Sequence, residues 1–258
     1  MNQPDSIFHS NFEELKLDLK NLRKIETYCL LGETLQTKAF FSLVNLCENL
    51  VDLTIPFPNW ESIQILKKNL MKLENLNIVN GEENFAEEEE IHLHEQDENK
   101  NFEICLNLIL KNSLNLKSFT LNSSKYLTEK NLKLFSEVNF KNLISLELLI
   151  SNFGLEFKSF KTYLLKFVGG GLVRILLDLR NFLMNDEMLI DFSFYLPKIV
   201  HFEIWTSDAS SVTLKGAKSL IEKCANLRRI HDCGFSEEVK SYFMKNRVDC
   251  RSFMMEVR

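Results

Sequence analysis

The stretch Leu143-Ile144-Ser145-Leu146-Glu147-Leu148 decides the fold, because its pattern Leu-x-x-Leu-x-Leu recurs along almost the whole chain, with Ile or Phe replacing some of the leucines. Successive copies begin 27 to 29 residues apart over most of the chain, with one interval of 23 and one of 43 residues. A fixed period of this size is typical of solenoid proteins, in which each repeat forms one structural unit. The other copies begin at Leu50, Leu73, Leu116, Leu172 and Ile199, and shorter copies begin at Leu22 and Leu227.

Each copy predicts a strand that is followed by a helix. In Ile199-Val200-His201-Phe202-Glu203-Ile204, Phe202 and Ile204 alternate with polar residues, as in a half-buried strand. Turn residues come next, and then a segment with helical spacing. The predicted helix N-caps, whose side-chain oxygens accept hydrogen bonds from first-turn amides, are Asn59, Thr128, Asp186 and Ser236.

A single strand-turn-helix unit cannot bury its apolar face, so neighbouring units are expected to stack. Strands pack about 4.8 Å apart and helices about 8 to 10 Å apart, so an array with equal numbers of each must curve. The predicted fold class is therefore α/β: a horseshoe-shaped solenoid with parallel strands on its concave face and helices on its convex face. We expect residues 1–258 to form one domain.

The residues resemble those of leucine-rich repeat proteins, most closely the ribonuclease-inhibitor-like and cysteine-containing subclasses. Cys47-Glu48-Asn49-Leu50 and Cys224-Ala225-Asn226-Leu227 are similar to a phrase found in the repeats of F-box substrate receptors. The resemblance implies a binding protein rather than a particular activity. The turn position that often holds Asn or Cys in this family is variable here, so no continuous Asn or Cys ladder is expected. The segment before the first repeat is shorter than an F-box, so if the chain is a ligase receptor, we expect its adaptor-binding half to be absent or to lie elsewhere.

Composition limits the cellular context. The net charge of −5 disfavours nucleic acid as a partner, since nucleic-acid-binding faces are rich in Lys and Arg. No apolar run is long enough to predict a membrane anchor, and residues 1–14 lack the features of a signal peptide. The six cysteines form no Cys-x-x-Cys pair, and Cys47 and Cys224 fall at predicted core positions. These features favour a reducing intracellular compartment, cytoplasmic or nuclear.

The 43-residue interval between Leu73 and Leu116 contains an acidic insertion at about 82–99, which we expect to be flexible because like charges repel. It could be a solvated loop or an arm that binds a basic protein surface. His92 and His94 lie within it, but without a rigid frame or Cys ligands they make a weak metal site, and we predict no bound metal.

No motif in the sequence predicts catalysis. Gly169-Gly170-Gly171 lacks the Lys-Ser/Thr ending of a phosphate-binding loop and precedes a strand, so it is interpreted as a helix stop. No Gly-x-Ser-x-Gly elbow or similar cluster of nucleophile and base is present. We therefore expect neither enzymatic activity nor a cofactor.

The polar strand positions are the candidate binding residues, because they point to the concave face and have no packing role. Trp and Arg dominate binding hot spots, which makes the C-terminal strands the more informative part of this face. The predicted partner-binding residues are Trp205, His201, Glu203, Arg229, His231, Tyr28, Glu147 and Asp178.

Two functions remain open at this point. The predicted terminal strands, Phe12 to Leu19 and Arg251 to Val257, would leave apolar ends that another subunit could cover. This favours a protein-interaction scaffold that is a structural or accessory subunit of a larger complex. The alternative is the substrate-recognition part of an F-box-type ubiquitin ligase or another regulatory adaptor.

Overall fold

The computed structural model describes residues 19–27, 35–79, 95–122, 128–138, 140–149, 157–165, 169–232 and 234–252. In this part of the chain, nine strands form one parallel sheet and follow one another in sequence order. The strands are β1 (Lys24–Glu26), β2 (Asp52–Pro56), β3 (Asn75–Val79), β4 (Ser118–Asn122), β5 (Ser145–Leu149), β6 (Arg174–Asn185), β7 (His201–Ser211), β8 (Arg229–Asp232) and β9 (Asp249–Ser252).

Helices connect successive strands over most of the described chain. They are α1 (Leu35–Leu46), α2 (Trp60–Leu70), α3 (Glu95–Asn112), α4 (Glu129–Ser136), α5 (Phe157–Phe160), α6 (Asp186–Tyr195), α7 (Leu214–Lys223) and α8 (Glu237–Lys245). A π-helical turn at Lys161–Leu165 extends α5, and 3-10 turns occupy Leu19–Asn21 and Gly169–Gly171. The triple glycine therefore leads into β6 as a turn, as its position in the sequence predicted.

The recurring leucine phrase sets the register of the sheet. Leu53, Leu76 and Phe119 are aligned across β2 to β4, and the same row continues through Leu146, Ile175, Phe202 and Ile230. These side chains are buried, and so is the second row, which starts at Ile55 and Ile78. Because side chains alternate along a strand, one face of every repeat is fixed in the same core as the helices. The predicted α/β solenoid is confirmed.

Three of the four predicted helix caps are confirmed. Asn59, Thr128 and Ser236 precede α2, α4 and α8, and each side chain accepts a first-turn amide. The prediction for Asp186 is wrong by one residue, because Asn185 Oδ1 accepts the Met188 amide at 3.0 Å and caps α6. Asn and Asp are both good capping residues, so the sequence alone could not separate two such neighbours.

Asp186 instead binds the start of the next helix. Its Oδ1 accepts the amides of Thr213 at 2.8 Å and Gly216 at 3.0 Å, and its Oδ2 accepts the Thr213 hydroxyl at 2.6 Å. Partial burial acts to raise the pKa of Asp186, but the hydrogen bonds from Thr213 and Gly216 outweigh it and leave the pKa lowered. One carboxylate thus ties α6 to the N-terminus of α7.

Side chains near the helix ends connect successive repeats. Asn69 Nδ2 donates to the Val44 carbonyl at 2.6 Å, and Asn115 Nδ2 donates to the Met71 carbonyl at 2.7 Å. Cys224 Sγ lies 3.3 Å from the Leu196 carbonyl. These bonds satisfy carbonyl groups that a helix end leaves without an intrahelical partner. Cys47 and Cys224 are both buried, as predicted.

The structure also revises several predicted boundaries. Helix α3 begins at Glu95, inside the predicted insertion, while 82–94 lie outside the described residues. Strand β9 begins at Asp249, two residues before the predicted terminal strand. Of the predicted first strand, only Leu19 is described, and it lies in a 3-10 turn. Strands β6 and β7 run several residues beyond the leucine phrase and pair with each other there through shifts in register.

Candidate protein-binding surface

One face of the sheet is open in the part of the chain that the structure describes. In β3, β4 and β5, buried residues alternate with half-exposed ones, and the buried set packs into the core that the helices share. The other set consists of the half-exposed strand positions and the residues aligned with them on neighbouring strands. We call this set the strand face. Parallel sheets are usually covered on both faces. An open face on a rigid sheet is therefore a candidate binding surface.

The N-terminal half of the strand face is small and polar. Asp52 and Asn75 are aligned on β2 and β3, and the Asn75 side-chain amide donates to the Asp52 carboxylate. The same row continues through Ser118 and Ser145. Tyr28, one of the predicted binding residues, lies outside the described residues. This half offers hydrogen-bonding groups but no large side chain among its described positions on β2 to β4.

Arg174 organises the C-terminal half. Its Nη1 lies 3.1 Å from Glu147 Oε1 on β5, and its Nη2 lies 4.0 Å from Glu203 Oε1 on β7. The guanidinium thus joins three adjacent strands and lies between two predicted residues, Glu147 and Glu203. We did not select Arg174 from the sequence. The sequence does contain a pattern that indicates Arg174. A basic residue occupies a polar strand position, and the strands before and after it carry a carboxylate at such a position.

His201 and Arg229 lie side by side at the next strands of the same row. His201 Nδ1 and Arg229 Nε are both buried and have no hydrogen-bond partner among the described residues. The Arg229 Nε atom lies 3.8 Å from Asp249 Oδ2, which is an ion pair beyond hydrogen-bond distance. Buried polar atoms are rarely left without a partner in native proteins. Both atoms are shielded where they lie, so a bound segment could pair with them only after the two side chains turn toward the open face.

Trp205 and His231 complete the described part of the surface, and both are half-buried. Asp178 does not reach it. Asp178 is aligned with Trp205 in the extended part of β6 and β7, and its side chain is only 2% exposed. A residue buried to this degree presents no side-chain surface to a partner, so the structure does not place Asp178 among the exposed positions of the strand face.

The strand face contains Glu147, Arg174, His201, Glu203, Trp205, Arg229, His231 and Asp249, which occupy five adjacent strands. No group of three or more potential metal ligands occurs in the described ranges, and His92 and His94 lie outside them. The pKa of the Asp186 carboxylate, which binds Thr213 and Gly216, is lowered. Burial raises the pKa of the Cys105 and Cys224 thiols to about 11. The chemistry of the strand face is that of hydrogen bonding and ion pairing.

None of the described helices is long and apolar enough to cross a membrane. No protein-family model matches the chain, and no curated protein sequence matches it. Among solved structures, it is similar to the crystal structure of a Bacteroides fragilis protein, with 17% identity and a TM-score of 0.55 over 100% of this chain and 74% of that one. The crystal structure of the yeast Rad7 and Elc1 complex matches with 13% identity and a TM-score of 0.47, over 97% of this chain and 73% of that one. At these identities the first likeness concerns the fold alone.

Proposed function

We propose that this protein is a non-catalytic leucine-rich repeat scaffold that binds a protein partner on the strand face. The observation that carries the proposal is the pair of buried nitrogen atoms without hydrogen-bond partners, His201 Nδ1 and Arg229 Nε, on an otherwise open sheet. Leaving a buried polar group unsatisfied costs about 1–3 kcal/mol. A partner would recover part of that free energy if its binding turned the two side chains toward the open face and paired their nitrogen atoms.

The residues around this pair suit a protein partner. Trp and Arg are enriched at binding hot spots, and Trp205, Arg174 and Arg229 lie on three adjacent strands. The backbone that carries them is a continuous hydrogen-bonded sheet, so little conformational entropy is lost when a partner binds. Specificity would come from the alternating charges of Glu147, Arg174 and Glu203.

We further propose that the protein is a subunit of a larger assembly in a reducing intracellular compartment. The described cysteines form no disulfide, and Cys47, Cys105 and Cys224 are buried in the core. Structural disulfides are common in secreted proteins of this kind and rare where glutathione keeps thiols reduced.

The test is an affinity purification from native extract with two variants beside the wild type. Trp205→Ala/Arg229→Ala changes the strand face, and Lys218→Ala/Glu222→Ala changes exposed positions on α7 as a matched control. We expect one set of proteins to be recovered in constant proportion with the wild type and the control and to be depleted at least tenfold with the strand-face variant. Unfolding of each variant by heat, followed by circular dichroism, verifies that the fold is retained.

Two other results would change the assignment. Recovery of the same assembly with all three proteins would show that binding does not use the strand face. Recovery of ubiquitin-ligase adaptor proteins among the partners would favour the substrate-recognition function over that of a structural subunit.

A further inference from the structure

A second surface combines exposed apolar and basic side chains along one long edge of the solenoid. It consists of the helix ends and the segments that lead from them into the strands. We call it the basic edge, and its described residues are 22–23, 46–51, 70–74, 112–117, 136–138, 140–144, 169–173, 194–200, 223–228 and 244–248. Backbone bonds join these segments from repeat to repeat, such as Ile144 N to Lys117 O at 2.9 Å and Val173 N to Ile144 O at 2.8 Å. The edge is therefore continuous.

Exposed apolar side chains concentrate on this edge. Of the eleven large apolar residues that are exposed in the described part of the chain, all but Trp60, Ile104 and Leu183 belong to it. Single exposed apolar residues are ordinary on protein surfaces, but here most repeats place one on the same edge. The most exposed are Leu46, Met71, Leu114, Ile144, Phe194 and Met244, which are between 48% and 66% exposed.

The same segments are basic although the chain as a whole is acidic. Their described residues include nine Lys and Arg but only three Asp and Glu, whereas the whole chain has a net charge of −5. All nine basic residues are exposed. Helix C-termini favour nearby cations, which accounts for Lys223 and Lys245 in the last turns of α7 and α8. That effect does not place apolar side chains beside them, nor does it explain Lys141 and Lys198 in the segments beyond the helices. Lys72 also lies beyond a helix, and its Nζ donates to the Glu48 carbonyl at 3.0 Å.

The composition and shape of the edge identify the kind of partner. Protein interfaces have a compact apolar centre and are depleted in Lys, whereas this edge is a long line with Lys in most repeats. Amphipathic surfaces that bind membranes place Leu, Phe and similar side chains in the lipid interface and Lys and Arg around them. At Phe194 the two kinds of group meet, since Lys223 Nζ lies 5.8 Å from the centre of its ring.

We propose that the basic edge binds the surface of a lipid bilayer that contains anionic phospholipids. The lysines and arginines would contact the lipid phosphates and carboxylates, and the apolar side chains would enter the interface between headgroups and acyl chains. The edge runs along the strand ends rather than over the strand face. A molecule bound through it would keep the strand face open to a protein partner.

The test is co-sedimentation with vesicles of phosphatidylcholine alone and with vesicles that also contain about 30% phosphatidylserine, at about 0.1 M salt. The wild type is expected to bind the anionic vesicles and to be released at higher salt. A basic residue near an anionic surface strengthens binding about fivefold, so Lys141→Glu/Lys198→Glu should weaken it at least about 25-fold. Met71→Ser/Leu114→Ser should also weaken binding, because it removes apolar side chains from the interface.

The matched control is Lys215→Glu/Lys218→Glu, which makes the same change of charge at exposed positions in the first half of α7. It should bind as the wild type does, and thermal unfolding verifies that every variant is folded. Equal binding to both kinds of vesicle, or equal loss in the edge and control variants, would overturn the proposal. Two further results, obtained without vesicle binding, would also overturn the proposal: self-association that changes in the edge variants, or binding to an acidic protein that is lost in them. Either result would assign the edge to a protein partner.

Discussion

Gly216 is a described residue at which two repeats approach each other closely. A Cβ atom there would lie 2.6 Å from Asp186 Oδ1 and 3.0 Å from its Cα atom, so Asp186 or the start of α7 would have to move. We expect Gly216→Ala to lower the free energy of unfolding by about 1–3 kcal/mol, the usual cost of overpacking. Urea denaturation measures this change.

The control for Gly216→Ala is Gly170→Ala. A Cβ atom at Gly170 has nothing within 4 Å, so this variant is expected to stay close to the wild type. A result in which both variants lose the same stability would contradict the role of the close approach to Asp186.

Asp186 should make stability depend on pH. Its pKa is lowered in the folded protein, so its contribution is complete above the pKa of the unfolded chain, about 3.9, and is lost as the pH falls through the folded value. Asp186→Asn should therefore be less stable than the wild type at neutral pH, and the difference should shrink at about pH 3. Urea denaturation at both pH values measures the difference, with the exposed Glu222→Gln as a control for removal of a charge. A difference that stays constant or grows on acidification would contradict the account.

At the scale of elements, the bond from Asn69 to the Val44 carbonyl links α2 to the end of α1. Asn69 is 1% exposed, so solvent has no direct access to this hydrogen bond. We expect Asn69→Ala to lower the free energy of unfolding by about 1–3 kcal/mol, because the side-chain hydrogen bond to the Val44 carbonyl is lost in a buried site. Asn115→Ala removes a similar bond at an exposed position and should cost less than half as much. Equal losses in urea denaturation would show that burial of this bond is unimportant.

The sequence predicted most strands, because burial of the leucine phrase sets both their period and their register. It did not predict the long extensions of β6 and β7. Those residues pair with each other beyond the leucine phrase, and they do not repeat its pattern. Helix α3 starts within the acidic insertion predicted at about 82–99. Its first turn contains Glu95, Asp97 and Glu98, and a charged segment gives no apolar period from which a helix start could be located.

At the scale of the whole molecule, alternation along the strands predicted which residues lie on the strand face, and most of the candidates that the structure describes are on it. The Arg174 bridge to Glu147 and Glu203 depended on three strands meeting in register, which no single repeat reveals. The burial of Asp178 is a departure from the simple alternation of exposed and buried strand positions. The basic edge was missed because its members are separated by whole repeats in the sequence and come together only in the folded solenoid.

The central claim, that a protein partner binds the strand face, is tested most directly by fluorine NMR of the chain labelled with 5-fluorotryptophan. The chain has two tryptophans, Trp60 and Trp205, and an unlabelled purified partner contributes no signal. Trp60 begins α2, away from the strand face, and serves as the internal reference, with Trp60→Phe assigning the resonances. We predict that the Trp205 resonance shifts or broadens on addition of the partner while that of Trp60 stays in place. Binding that leaves the Trp205 resonance unchanged would contradict the account.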